Sequence, residues 1–291
     1  MSKLHIIGNG FDIYHGIDSR YWDFYQFLKQ KKYYSFIALM ENFFTDTDDK
    51  GAENLLWSDF EMALGNIDIN NTFDYCTEDI EIDYDHMMRS TAQIEDAPGF
   101  ILGDALQDMH EKFDEWVQSI NINVSRRQLK HFETKGKFFT FNYTDTLESI
   151  YRIPSENVLH IHGSRIKNES LIVGHCNYID PFSIGDEDML LHEESALRSI
   201  AELANQEMKS VKDIIAEYRS YWFSLSEIDE VTVYGHSLSD VDLPYFQKIK
   251  ESIETQARWN FSYYSKKDVE NIQHLIAMLN LSTDYCSSFK M

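Results

Sequence analysis

Five short polar motifs stand out in an otherwise apolar and acidic chain. The first is Gly8-Asn9-Gly10-Phe11-Asp12, directly after Leu4-His5-Ile6-Ile7. Two glycines one residue apart let a backbone turn after a strand and approach a phosphate closely. Position 13 is Ile, so the third glycine of the usual fingerprint is missing, and a plain tight turn explains the pair equally well. The second is Phe141-Asn142-Tyr143-Thr144-Asp145. An Asn at a strand end can hydrogen-bond a sugar hydroxyl or a water, or it can cap the next helix.

The third, Leu159-His160-Ile161-His162-Gly163-Ser164, places two histidines on one strand face. As an i, i+2 pair they can ligate a metal together with His175 or His236. No carboxylate motif of familiar spacing joins them, so the preferred expectation is one catalytic histidine with the other in support. Gly174-His175 is the fourth motif. The fifth, Tyr234-Gly235-His236-Ser237-Leu238-Ser239-Asp240, looks like a nucleophile elbow, but Ser239 stands where that turn needs Gly. The only later histidine is His274, inside an expected helix, so a serine hydrolase is disfavoured. Asp240 and Asp242 read as residues that solvate or cap the next helix.

The elements that must position these motifs follow from periodicity. Leu4 to Ile7, Lys137 to Phe141, Val158 to Ile161, Leu171 to Val173, Val231 to Tyr234 and Trp259 to Tyr264 read as strands. Helices are expected from about Asp18 to Lys31, Ile101 to Ile120, after Asp145, Met189 to Phe223, Val241 to Thr255 and Lys267 to Leu279. In the first of these Tyr21, Phe24, Tyr25, Phe27 and Leu28 recur at helical spacing and read as core. Strands separated by helices imply parallel crossovers, hence one α/β domain over 1–291 with a helical insertion at about 30–130. The polar motifs all follow strand C-termini, where such sheets bind ligands.

The formal net charge is −23, from 49 acidic and 26 basic residues. Neutralising a nucleic-acid backbone needs a basic footprint, so general nucleic-acid binding is disfavoured. The one basic run, Ser125-Arg126-Arg127-Gln128-Leu129-Lys130, reads as a solvated helix end. Three scattered cysteines, without a CxxC pair, support neither a disulfide framework nor a thiolate zinc site. No apolar run reaches the length of a membrane span, and the opening is too short for a signal peptide. A cytoplasmic protein with no bound metal is expected. The aromatic helices fit a homo-oligomer as well as a packed core.

As an ordered set, the first, second, third and fifth of these motifs, with Trp57-Ser58-Asp59-Phe60-Glu61, resemble the AbiH family of bacterial abortive-infection proteins. The resemblance implies defence against phage, with a phage or host protein as trigger, but supplies no reaction. A more distant likeness is to sirtuin-like NAD-consuming domains. It rests on Gly8 to Asp12 with His15-Gly16-Ile17-Asp18-Ser19-Arg20, then Asn142-Tyr143-Thr144, His162-Gly163 and Gly235 to Asp240. The chain departs from that pattern: Asp12 replaces the loop's Ser, Asp18 its Pro, and the four zinc cysteines of protein deacylases are missing. What this likeness implies is a Rossmann-like, sirtuin-like sheet and simple NAD hydrolysis rather than deacylation. It gives His162 the role of general base, has Asn142 orient ribose or water, and sets Asp12 against positive charge. Gly8, Asn9, Gly10, Phe11, Gly163, Gly235, His236, Ser237 and Asp240 would line the nucleotide, with His175 and His236 as further candidates.

Overall fold

A computed structural model describes residues 2–44, 55–124, 129, 132–167, 170–185 and 189–291. Most of the basic run at 125–130 lies outside them. The chain divides into two compact units. One comprises Met1–Arg20, Val117–Ile172 and Ser210–Met291; the other comprises Tyr21–Trp116 and Val173–Lys209.

The first unit is built on six strands: β1 (Ser2–Ile7), β2 (Lys137–Thr140), β3 (Val158–His160), β4 (Ile228–Tyr234), β5 (Arg258–Tyr263) and β6 (Cys286–Lys290). Every pairing is parallel, in the order β3-β2-β1-β4-β5-β6. Adjacent residues of a strand point to opposite faces, and here both faces are covered. Leu4 and Ile6 join Phe139, Val231, Val233 and Phe261 on one side. Ile7 joins Phe138 and Tyr234 on the other, under Leu147 and Tyr151 of the helix Thr146–Tyr151. This explains why Leu4–Ile7 of β1 and Val231–Tyr234 of β4 are apolar but for His5 and Thr232: a strand buried on two sides has no polar face to alternate.

The order reverses at β1, whose neighbours are β2 and β4. This is the strand order of doubly wound dinucleotide-binding sheets, whose ligands sit beyond the carboxyl ends at the reversal. The α/β, Rossmann-like expectation therefore holds. Two local expectations do not. Leu171 to Val173 forms no strand; Ile172 makes one backbone bond, to the His162 carbonyl. The single helix expected over 189–223 is three, Leu191–Gln206, Val211–Glu217 and Arg219–Phe223. The first break falls where Met208 bridges to His175.

The second unit is helical. Its core is aromatic: Phe24 packs edge-on against Phe60 and Phe113, with ring centres 5.8 and 5.5 Å apart, and Trp57 stacks on Phe60. The Trp57–Glu61 motif sits at this centre, and its polar members hold the surrounding structure together. The Trp57 indole donates to Glu41 at 3.0 Å, Asp59 caps the helix Phe60–Leu64, and Glu61 pairs with the buried ammonium of Lys209 at 2.5 Å. The helix Met87–Ser119 starts earlier than expected and carries Pro98 inside it.

Charge is divided very unevenly. The helical unit holds 30 acidic and 8 basic residues, the α/β unit 19 and 18. The acidity that argues against polyanion binding thus belongs almost wholly to the helical unit.

Candidate functional site

The C-terminal ends of β1 to β4 bring four of the five motifs together in the α/β unit. After β1, Gly8 precedes the short helix Asn9–Tyr14; after β4, Gly235 turns with φ +59°. The two loops touch. Gly8 N–H donates to the Tyr234 carbonyl at 2.9 Å and Gly10 N–H to the Gly235 carbonyl at 2.7 Å. A Cβ on Gly8 would lie 2.5 Å from His236 Cα, and one on Gly235 would lie 2.3 Å from the Phe11 nitrogen. Glycine at these positions is therefore required by the approach of one loop to the other. Phe11 is buried in the core, its N–H donated to Gly8 O, while Asn9 is exposed and tied to Ser19.

Beneath these loops lies a buried polar cluster. Asp12 is fully buried and accepts from Thr144 Oγ1, which also lies 3.0 Å from Thr146 Oγ1. Burial holds the Asp12 carboxyl above its ordinary range, against the opposing pull of Thr144, Thr146, Asn142 and Arg165. Asn142 is 7% exposed; its side-chain amide donates to Gly8 O at 3.2 Å. Among the described residues, Oδ1 of Asp12 and Oδ1 of Asn142 are buried without a hydrogen-bond partner. Such atoms cost free energy until a donor reaches them.

The Asn142 and His162 motifs interlock. His160 Nδ1 lies 2.9 Å from the Asn142 carbonyl and Nε2 3.0 Å from Glu148 Oε1. Arg165 donates through Nε to Asp145 at 2.6 Å and through its backbone N–H to Tyr143 O. Burial raises Asp145, but the bond from Ser149 and the charge of Arg165 outweigh it and hold the carboxyl below its usual range. His162 lies past the end of β3 rather than within it, 4% exposed, edge-on to Phe141 and Tyr245. Gly163 takes φ +85° where a Cβ would meet Ser170 O at 2.6 Å.

His236 packs against the other side of this group, its ring 4.3 Å from that of Phe141. Its Nδ1 accepts from Leu238 N–H at 2.8 Å, and Nε2 lies 3.4 Å from Asp242. Burial pushes its pKa down to about 3, so the contact with Asp242 is that of a neutral ring and not an ion pair. Leu238, buried and bulky, sits at φ +57°, a strained conformation. Ser237 and Asp240 are exposed; His274 pairs with Asp240 at 3.1 Å, and the Ser237 carbonyl accepts from Asn271.

His175 belongs to the helical unit, where Nε2 donates to Ala204 O and Nδ1 accepts from Asn177 N–H. Both nitrogens of His160 and of His175 are thus engaged by protein groups. Among the described residues no three or more His, Cys, Asp or Glu side chains gather in a way that could hold a metal ion. Two surface clefts of about 490 and 410 Å³ lie away from the motifs, lined by Trp222 and Lys248 and by Trp259 and Tyr285. The roles of Thr144, Glu148 and Arg165 were not legible as chemistry in the sequence. The only signal was their place beside Asn142 and His162.

No helix among the described residues is long and apolar enough to cross a membrane. The family whose model matches the chain is bacteriophage abortive infection AbiH, over residues 4–263, from β1 to the end of β5. Neither the curated proteins nor the solved structures gave a match.

Proposed function

Because the chain belongs to the AbiH family of bacteriophage abortive infection, we propose that it is a defence effector whose α/β unit binds and hydrolyses NAD, releasing nicotinamide. The observation that carries this is the meeting of the Gly8, Asn142, His162 and Gly235 motifs at the carboxyl ends of β1 to β4, where the strand order reverses. The near balance of charge in that unit, 19 acidic to 18 basic, also lets a dinucleotide's phosphates approach.

The chemistry asks little of an acid. The N-glycosidic bond breaks, its electron pair goes to the nicotinamide ring nitrogen, and a neutral molecule leaves a cationic precursor. Water attacks C1′ of the ribose and gives up its proton. In this scheme His162 takes that proton, directly or through a ribose hydroxyl, and Asn142 Oδ1 orients the hydroxyl or the water. Asp12 holds Thr144 and supports the positive charge that develops. The loops Gly8–Phe11 and Gly235–Asp240, with Gly163, border the dinucleotide.

One observation favours a second reading, binding without turnover. The Gly8 and Gly10 amides are donated to the Tyr234 carbonyl at the end of β4 and the Gly235 carbonyl just after it, so a pyrophosphate can use them only if these segments part. A nucleotide sensor would exploit such a movement without chemistry, and the acidic helical unit would then engage a basic phage or host partner. Both readings are tested by incubating the purified full chain with NAD and following nicotinamide, with His162→Ala alongside. Turnover lost in the variant supports hydrolysis; NAD binding without release, unchanged in the variant, supports the sensor.

A further inference from the structure

Asn142 is held from three strands. Its N–H donates to Thr140 Oγ1 at the end of β2, its side-chain amide to Gly8 O after β1, and its carbonyl accepts from His160 Nδ1 at the end of β3. The Gly8 carbonyl can only accept, which fixes the end of the amide that carries nitrogen. Oδ1 therefore faces away from Gly8, buried and without a hydrogen-bond partner among the described residues. It is an acceptor aimed by its neighbours.

The grip on the carbonyl is itself braced. His160 has a fully buried side chain, and its second nitrogen meets Glu148, 10% exposed, on the helix Thr146–Tyr151. That helix follows directly from the Asn142 motif, so strand end, turn and helix close into one ring of contacts through His160. Burying a polar pair of this kind is weak support for stability, since apolar residues of similar volume often do as well. What the pair does supply is position. A donor on Nδ1 fixes the Asn142 backbone, and a partner on Nε2 fixes the imidazole.

We infer that His160 and Glu148 are positioning residues: they hold Asn142 so that its Oδ1 accepts a hydrogen bond from a hydroxyl of the bound nucleotide, or from the water it carries. The inference rests on the nucleotide-binding reading above, and it defines the chemistry recognised there as a hydroxyl donor. Neither residue touches the reacting atoms, and both act through Asn142.

Two substitutions of one residue separate this from a packing role. His160→Asn places a side-chain N–H where Nδ1 stands and loses reach to Glu148. His160→Gln places its nitrogen near Nε2, keeping Glu148 and losing the Asn142 carbonyl. His160→Asn is also made with Glu148→Leu, which removes the carboxylate the shorter side chain leaves unpaired. Two quantities are read: kcat and KM for nicotinamide release, and the side-chain amide resonances of Asn142 without nucleotide.

His160→Asn should keep most of kcat and leave the Asn142 resonances in place. His160→Gln should lose on the order of 10²-fold in kcat, as misplacement of a reacting group does, with KM little changed and the resonances shifted. The reverse order, or equal losses in both variants, overturns the inference. If the wild type releases no nicotinamide, the hydrolysis reading has failed, and the resonances alone decide. Their movement in His160→Gln but not in His160→Asn supports the positioning role; movement in both or in neither overturns it.

Discussion

His236→Asn isolates what burial does to a single ring. His236 has a side chain 3% exposed, wedged edge-on against Phe141 and Phe246, and burial pushes its pKa from 6.5 to about 3. The folded protein then binds fewer protons than the unfolded chain at this site. Stability present above pH 6.5 is therefore lost as pH falls toward 3. One pH unit corresponds to about 1.36 kcal/mol. At pH 5 the unfolded ring is mostly protonated and the folded ring is not, so about 2 kcal/mol has gone relative to pH 7.5. Asp242, 3.4 Å from Nε2, favours the charged ring and opposes burial, which makes this an upper figure. Asparagine offers Oδ1 where Nδ1 stood, so Leu238 N–H keeps an acceptor and nothing titrates. Urea unfolding of both proteins at pH 7.5 and 5.0 cancels the carboxylates they share. The wild type should lose up to about 2 kcal/mol more than His236→Asn across that interval. Equal losses would refute a ring kept neutral by burial.

Two further outcomes follow from the site's packing. Gly8→Ala drives a methyl group against His236 Cα and Gly235 O, at 2.5 and 2.8 Å, and should cost about 1–3 kcal/mol as overpacking does. A wild-type melting temperature in that variant would mean the two glycine loops are not in contact. Arg165→Met leaves Asp145, 9% exposed, without its cation; a loss of about 3–5 kcal/mol in chemical denaturation is expected. A loss well below about 1 kcal/mol would place that pair in solvent.

Strands buried on both faces were the easiest to read, because Leu4-His5-Ile6-Ile7 and Val231-Thr232-Val233-Tyr234 are apolar nearly throughout. The edge strand β6 was missed for the opposite reason: Cys286-Ser287-Ser288-Phe289-Lys290 is half exposed and carries neither an apolar run nor a clear alternation. The break after Gln206 has no Gly or Pro to mark it. It is imposed by a bridge to His175, far off in sequence. Conversely the helix expected from Ile101 begins at Met87 and runs through Pro98-Gly99.

At the site, residue types and strand ends were legible, whereas partners were not. Glycine after β1 has the same sequence signature whether it admits a phosphate or another loop, and only the contact with Gly235 distinguishes them. His160 and His162 look alike two residues apart. Yet β3 ends between them, so one is fixed by Asn142 and Glu148 while the other lies beyond the strand against Phe141.

Nicotinamide release from NAD by the purified chain tests the central proposal most directly, with His162→Ala and Asn142→Ala beside it and a chelator control. Hydrolysis at this site predicts release by the wild type, indifferent to chelator, and reduced about 10²–10⁴-fold in His162→Ala without loss of folding. The fall in Asn142→Ala should be similar. No release at high protein concentration, even with infected-cell extract added as a trigger, would contradict it, as would release that survives both substitutions.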